Sequence, residues 1–155
     1  MGKYSLWAAG FTTATTLKTV MAVSASAAVT IAEGVEYILT GSGTTTAADT
    51  QHQARGTWCT FAGLGTAATQ TPEPWSQSTP AAKALGANFY SAEPTVVDGA
   101  LPIIYGFNQR GGMRWAVPQG EGLLFNESAT KKGLVFQVIS SAAGLVDGNS
   151  HWWEK

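Results

Sequence analysis

Apolar residues along this chain recur with a period of two, the spacing of a half-buried strand. In AVTIAEGVEYILT, Val29, Ile31, Val35, Tyr37 and Leu39 share one face, with Glu33 the one charged intruder. Leu101, Ile103, Tyr105 and Phe107 alternate in the same way, as do Met113, Trp115 and Val117. GLVFQVIS is apolar on both sides, Leu134, Phe136 and Val138 against Val135, Gln137 and Ile139, which predicts a strand covered on both faces. No stretch keeps the i, i+3, i+4, i+7 helical pattern over three turns without Gly, Pro or a Thr cluster interrupting it.

Turn chemistry punctuates these runs. Gly111-Gly112 predicts a hairpin, Asp98-Gly99 and Asp147-Gly148 predict tight turns, and Lys131-Lys132-Gly133 separates two apolar strands. The expected strands are 4–8, 19–23, 28–40, 57–62, 84–92, 101–108, 113–117, 122–126, 134–140 and 150–154, with long loops at 41–53 and 69–82. So many short strands predict an all-β jelly-roll sandwich or barrel of about eight strands with extra terminal strands, in one domain over residues 1–155. On the last strand Trp152 and Trp153 are neighbours and must face opposite ways. One fills the core, and the other calls for a partner outside it.

Composition adds that the surface is poor in charge. Only 12% of residues are charged, the net charge is −1, and 45% are hydrophobic. Such a surface offers no electrostatic footprint for nucleic acid or an anionic membrane, and is suited to lying against other subunits. No apolar run approaches the ~18 residues of a membrane span. At the N-terminus, Gly10, four threonines and Lys18 interrupt any signal-peptide core, so no export signal is read.

Candidate chemistry is thin. Cys59, the one cysteine, sits in a strand pattern and reads as a small core hydrophobe. His52 and His151 lie far apart without neighbouring ligands, so no metal or cofactor site is expected. No G-x-S-x-G elbow is present, and Glu121 and Glu127 flank a strand rather than forming a carboxylate pair, so no catalytic residue is assigned. Gly112, Pro118 and Gly120 reproduce the G-x5-P-x-G spacing of the second cupin motif, a strand–turn–strand unit. Leu123 stands where metal-binding cupins carry histidine, so the likeness speaks for architecture and against a metal.

In its layout the chain resembles the small jelly-roll proteins that decorate or cement the capsids of tailed bacteriophages. The segments that carry the resemblance are KYSLWAAG, LKTVMAVSAS, VTIAEGVEYILTGSG, GLGTAATQTPEPW, ALGANFYSAEPT, RWAVPQGEGLLF, LVFQVISSA and HWWE, together spanning 4–154. The resemblance implies a non-enzymatic virion protein, made in the host cytoplasm and placed on the outer capsid surface. It would be a homo-oligomer, with a trimer favoured, that bridges neighbouring copies of the major capsid protein. On that reading Trp7, Trp75, Trp152 and Trp153 are interface residues, the 69–82 loop is an arm, and Arg110 and Arg114 pair with carboxylates of the shell. The alternative is a carbohydrate-binding or receptor-binding jelly-roll module that uses Trp75 with Gln77, Asp147 and Asn149.

Overall fold

The computed structural model describes residues 1–26, 31–42, 49–63, 65–97, 102–127 and 132–155. Every regular element within them is a strand: β1 (Gly2–Thr12), β2 (Lys18–Ser24), β3 (Ala32–Gly41), β4 (Gln51–Gly63), β5 (Thr66–Gln70), β6 (Glu73–Pro74), β7 (Leu85–Ala92), β8 (Thr95–Val97), β9 (Ile103–Asn108), β10 (Gly112–Ala116), β11 (Leu123–Phe125), β12 (Gly133–Ser140) and β13 (Leu145–Glu154). They make two antiparallel sheets of a β-sandwich. The first runs β10-β3-β13-β1-β6 with β11 also beside β3; the second runs β5-β7-β2-β12-β4-β8 with β9 also beside β4.

The pairing is nested. β1 pairs with β13, β2 with β12, β3 with β10 and β4 with β9, as if one long hairpin had been wound up. Further pairs, β13 with β3 and β12 with β4, knit these into the two sheets. Strands β5 to β8 are an insertion between β4 and β9.

Between the sheets the inward rows meet: Tyr4, Leu6, Tyr37, Leu39 and Trp152 from the first, Met21, Val23, Ala54, Leu134 and Phe136 from the second. Tyr37 and Phe136 bring their ring centroids to 4.3 Å across this core. Gly148 keeps the sheets close there, because a Cβ on it would lie 2.8 Å from the Met21 methyl.

The aromatic C-terminus is clamped. Trp152 is 1% exposed and stacks on Tyr4 at 6.0 Å. Its indole N–H donates to Glu154 Oε1 at 3.1 Å, and the Glu154 carboxylate also accepts the backbone N–H groups of Lys83 at 2.9 Å and Ala84 at 3.0 Å. The Tyr4 hydroxyl donates to the Pro80 carbonyl at 3.0 Å. The final strand is thereby fixed both to the first strand and to the segment that precedes β7. Trp152 belongs to the chain's own core and not to an external interface, which corrects that expectation.

Other expectations change for identifiable reasons. Gly111-Gly112 makes no hairpin, since β9 pairs in the second sheet and β10 in the first, so the turn arches between sheets. Asp147-Gly148 is no turn either: both residues lie inside β13, where the Asp147 carboxylate accepts the N–H of Gly10, a positive-φ glycine in the β1 bulge, at 2.6 Å. β10 and β11 run the same way along β3, paired at Thr40 to Glu36 and then Gly34 to Ala32. The cupin-like segment is therefore one edge strand with an outward loop at 117–122, and not a strand–turn–strand reversal.

Glu33 is no intruder on the core face. The pairing of β3 with β13 shifts at a bulge between Glu36 and Gly34, which reverses the alternation. Glu33 lands under the 117–122 loop, where its Oε1 accepts from Gly120 N at 2.5 Å and Gly122 N at 2.9 Å, and Lys155 approaches its other oxygen at 3.6 Å. The 69–82 loop contains β5 residues and β6, and β6 pairs with Tyr4 and Ser5 of β1. Of the 41–53 loop, Gln51–Gln53 belong to β4, and 43–48 lie outside the described residues, as do Asp98-Gly99 and Lys131.

Candidate interface on the outer face of the first sheet

Alternation along β1, β13, β3 and β10 puts a second set of side chains on the face turned away from the core. The registers align Lys3 with Trp153, Ser5 with His151 and Glu36, and Trp7 with Asn149, Ile38 and Arg114. Trp75 arrives from the segment after β6, its N–H donating to the Lys3 carbonyl at 3.0 Å. Trp7 and Trp75 are 46% and 56% exposed, and Trp153 is half-buried. Three of the four tryptophans expected at an interface thus share this face.

A charged network lies among them. Glu36 Oε2 accepts from His151 Nδ1 at 2.6 Å, and Glu36 Oε1 accepts from Arg114 Nε at 2.5 Å. Burial alone would raise the Glu36 carboxyl; the hydrogen bonds and charges of His151 and Arg114 outweigh it and hold the pKa below its ordinary value. For His151 burial comes first and lowers the pKa, with Glu36 pulling upward and Lys3 and Arg114 downward. The imidazole is therefore neutral at pH 7, donating Nδ1–H to an ionised carboxylate whose formal ion-pair partner is Arg114. Trp75 meets the His151 ring at 4.8 Å and 84°, and the Lys3 ammonium sits 3.7 Å from the Trp75 ring centroid.

Beside this network runs a shallow groove of about 340 Å³ lined by Trp7, Ile38, Thr40, Asp147 and Asn149. The Asn149 side-chain oxygen in it is buried and has no hydrogen-bond partner. Arg110 does not join the face: it sits on the arch after β9, with its Nε 2.9 Å from Asp49.

Sequence reasoning missed Lys3, Glu36 and His151 as a group. The alternation of β3 could have pointed to Glu36, but the register that sets it beside His151 is long-range. His52 is in the other sheet, bonded to Ser140 Oγ at 2.6 Å, so the two histidines do not form one site. Among the described residues no cluster of three or more His, Cys, Asp or Glu could hold a metal ion. Cys59 is fully buried, and burial pushes its thiol up to about 12, where it stays protonated and unreactive.

The chain matches no protein-family model, no curated protein and no solved structure.

Proposed function

We propose that this protein is a non-enzymatic structural subunit of a bacteriophage particle that docks on the outside of the head and bridges neighbouring major capsid proteins. The observation that carries the reading is the outer face of the first sheet, where Trp7, Trp75 and Trp153 surround a Glu36–His151–Arg114 network already satisfied within the chain. Aromatic side chains on a rigid sheet provide contact area with little entropy to lose, and Trp and Arg are enriched at protein interfaces. A carboxylate neutralised by its own neighbours can be covered by another protein at a smaller desolvation cost than a bare one. Repeated over a shell, modest contacts of this kind add up through avidity.

The same reading takes the fold as a jelly roll. The nested pairs of β1, β2, β3 and β4 with β13, β12, β10 and β9 support it, because winding a single long hairpin generates that order. The test of the function is copy number. Quantitative mass spectrometry of purified particles from the phage encoding the chain is expected to find it in numbers comparable to the major capsid protein; its absence from the particles would overturn the proposal.

A second reading, glycan binding, is favoured by the groove beside Trp7, where a stacking ring lies next to the unpartnered Asn149 oxygen. Trp75 suits it less well, since Lys3 already covers one of its faces. Quenching of tryptophan fluorescence by oligosaccharides, lost in Trp7→Ala and kept in Trp75→Ala, would move the assignment to that reading.

A further inference from the structure

Strand β9, IIYGFN preceded by Pro102, lies at the edge of the second sheet among the described residues and carries no charged side chain. Among the described residues only β4 pairs with it, and Ile104 and Tyr105 are 55% and 53% exposed. No charged residue occurs from Pro102 to Gln109. Natural sheets block such edges with lysines, inward charges or a covering element, because the free N–H and C=O groups template another strand.

The parity of the free groups is fixed by the bonds at the end of the strand. Gln109 N donates to Thr50 O at 2.9 Å, and Ser141 N to Gln51 O at 2.9 Å. In the register that pairs His52 with Phe107, Ala54 with Tyr105 and Gly56 with Ile103, those odd-numbered residues of β9 bond to β4. Ile104, Gly106 and Asn108 then point their backbone groups outward. The Asn108 carbonyl is taken by Gly111 N at 2.9 Å, and Pro102 has no N–H, so the free ladder consists of Ile104 and Gly106.

We propose that β9 pairs antiparallel with β9 of a second copy about a two-fold axis at Tyr105. This register sets Ile104 opposite Gly106 of the partner subunit and uses all the free N–H and C=O groups of both residues, four hydrogen bonds in total by symmetry. Centring on Ile104 would instead bring Gly106 against the partner's Pro102, and centring on Gly106 would bring Ile104 against an Asn108 whose carbonyl is already committed. The Ile104 side chain crosses a glycine whose Cβ position is open, with only the His52 carbonyl within 4 Å, at 3.9 Å. Like charges, which would oppose self-pairing, are absent from the strand. The two Tyr105 rings meet on the axis, on the side that Ile103 and Phe107 fill within each copy. An isologous contact closes at two copies, in contrast to the threefold assembly that the resemblance implies.

The register makes the test specific. Tyr105 and its symmetry mate form a non-hydrogen-bonded pair, with Cα atoms about 4.5 Å apart, within disulfide reach. Two Ile104 residues lie diagonally across the axis and beyond about 7 Å. Tyr105→Cys is expected to cross-link into a covalent dimer under mild oxidation, while Ile104→Cys stays largely monomeric. The full chain should sediment as a dimer at high concentration, and Ile104→Pro, which removes an outward N–H and no internal bond, should be monomeric with an unchanged circular dichroism spectrum. Equal cross-linking at both positions, no cross-linking at 105, or a wild-type chain that sediments as a monomer or trimer at every concentration would each overturn the proposal.

Discussion

The two sheets treat their outer faces differently. That of the first carries Lys3, Trp7, Trp75 and Arg114 in contact with solvent, around the buried Glu36 and His151. That of the second hides a small apolar cluster, Ala22, Cys59 and Val135, beneath Tyr90 and Val96. The difference comes from the insertion between β4 and β9, which extends the second sheet through β5 and β7 and supplies Tyr90 and Val96 as the cover. One face of the sandwich is thus covered by the chain's own insertion, and the other, among the described residues, is left open, which is the face the proposed docking uses. A strand apolar on both sides, such as β12, belongs where both faces are covered.

The comparison is broken most severely by exchanging the fates of the terminal tryptophans. Trp152→Ala removes a ring fully buried between the sheets and is expected to cost about 3–5 kcal/mol. Trp153→Ala, on the outer face, is expected to cost about 1 kcal/mol or less, because surface substitutions away from the core change little. Thermal or urea unfolding of the two variants checks the ratio; similar losses would mean that the outer face is as much a part of the core as the inner one.

Next in size is the covered face. Val135→Asp buries an unpaired carboxylate beneath Tyr90 and is expected to destabilise by several kcal/mol or prevent folding. Val135→Ala opens a gap there for about 1–2 kcal/mol. On the open face, Thr40→Lys adds a charge at an exposed position opposite Asp147 and should be nearly neutral in the same unfolding assay.

Acid sharpens the contrast, because each sheet holds one histidine. Burial lowers the pKa of both His52 and His151 below the ordinary 6.5. The unfolded chain therefore takes up protons first. Stability is full above about pH 6.5 and falls as the pH drops through it, by at most about 1.4 kcal/mol per pH unit for each imidazole. Glu36, whose pKa is held below its ordinary 4.5, adds a second loss below that value. The melting temperature should decline from pH 7 to pH 5, and His52→Gln or His151→Gln should each flatten the decline. A melting temperature independent of pH over that interval would show that neither ring resists protonation.

Much of this fold is legible in the sequence wherever a strand's apolar pattern is regular: β12 is buried on both faces as its two apolar rows predict, and the opposite fates of Trp152 and Trp153 follow from adjacency alone. Legibility fails where an irregularity intervenes. The bulge between Glu36 and Gly34 reverses the face of Glu33, and Asp147-Gly148 reads as a turn although Gly148 is required by close sheet packing. Gly111-Gly112 carries the same local chemistry whether the chain folds back on its own sheet or crosses to the other, so topology cannot be read from it. The candidate site suffers most, since Glu36, His151, Arg114 and Trp75 meet through pairings of long sequence separation. The tryptophans could be nominated as surface residues; the charge network holding them could not.

The smallest effect tests how Trp75 is held on the open face. Its ring is fixed by the Lys3 ammonium and the edge contact with His151, together with the N–H bond to the Lys3 carbonyl. The backbone bond survives substitution of the Lys3 side chain, so Lys3→Ala removes only the cation over the ring. An exposed cation–π contact contributes about 0.5–1 kcal/mol, an amount that unfolding assays barely resolve. The indole reports on it more directly. Acrylamide should quench Trp75 more efficiently in Lys3→Ala than in the parent, with Trp75→Phe variants of both chains identifying the emitting residue. The half-way substitution Lys3→Arg keeps a cation over the ring and should restore the parent's quenching. If Lys3→Ala leaves quenching unchanged, Trp75 is positioned by β6 and His151 alone, and the open face is ordered by its backbone register more than by its charges.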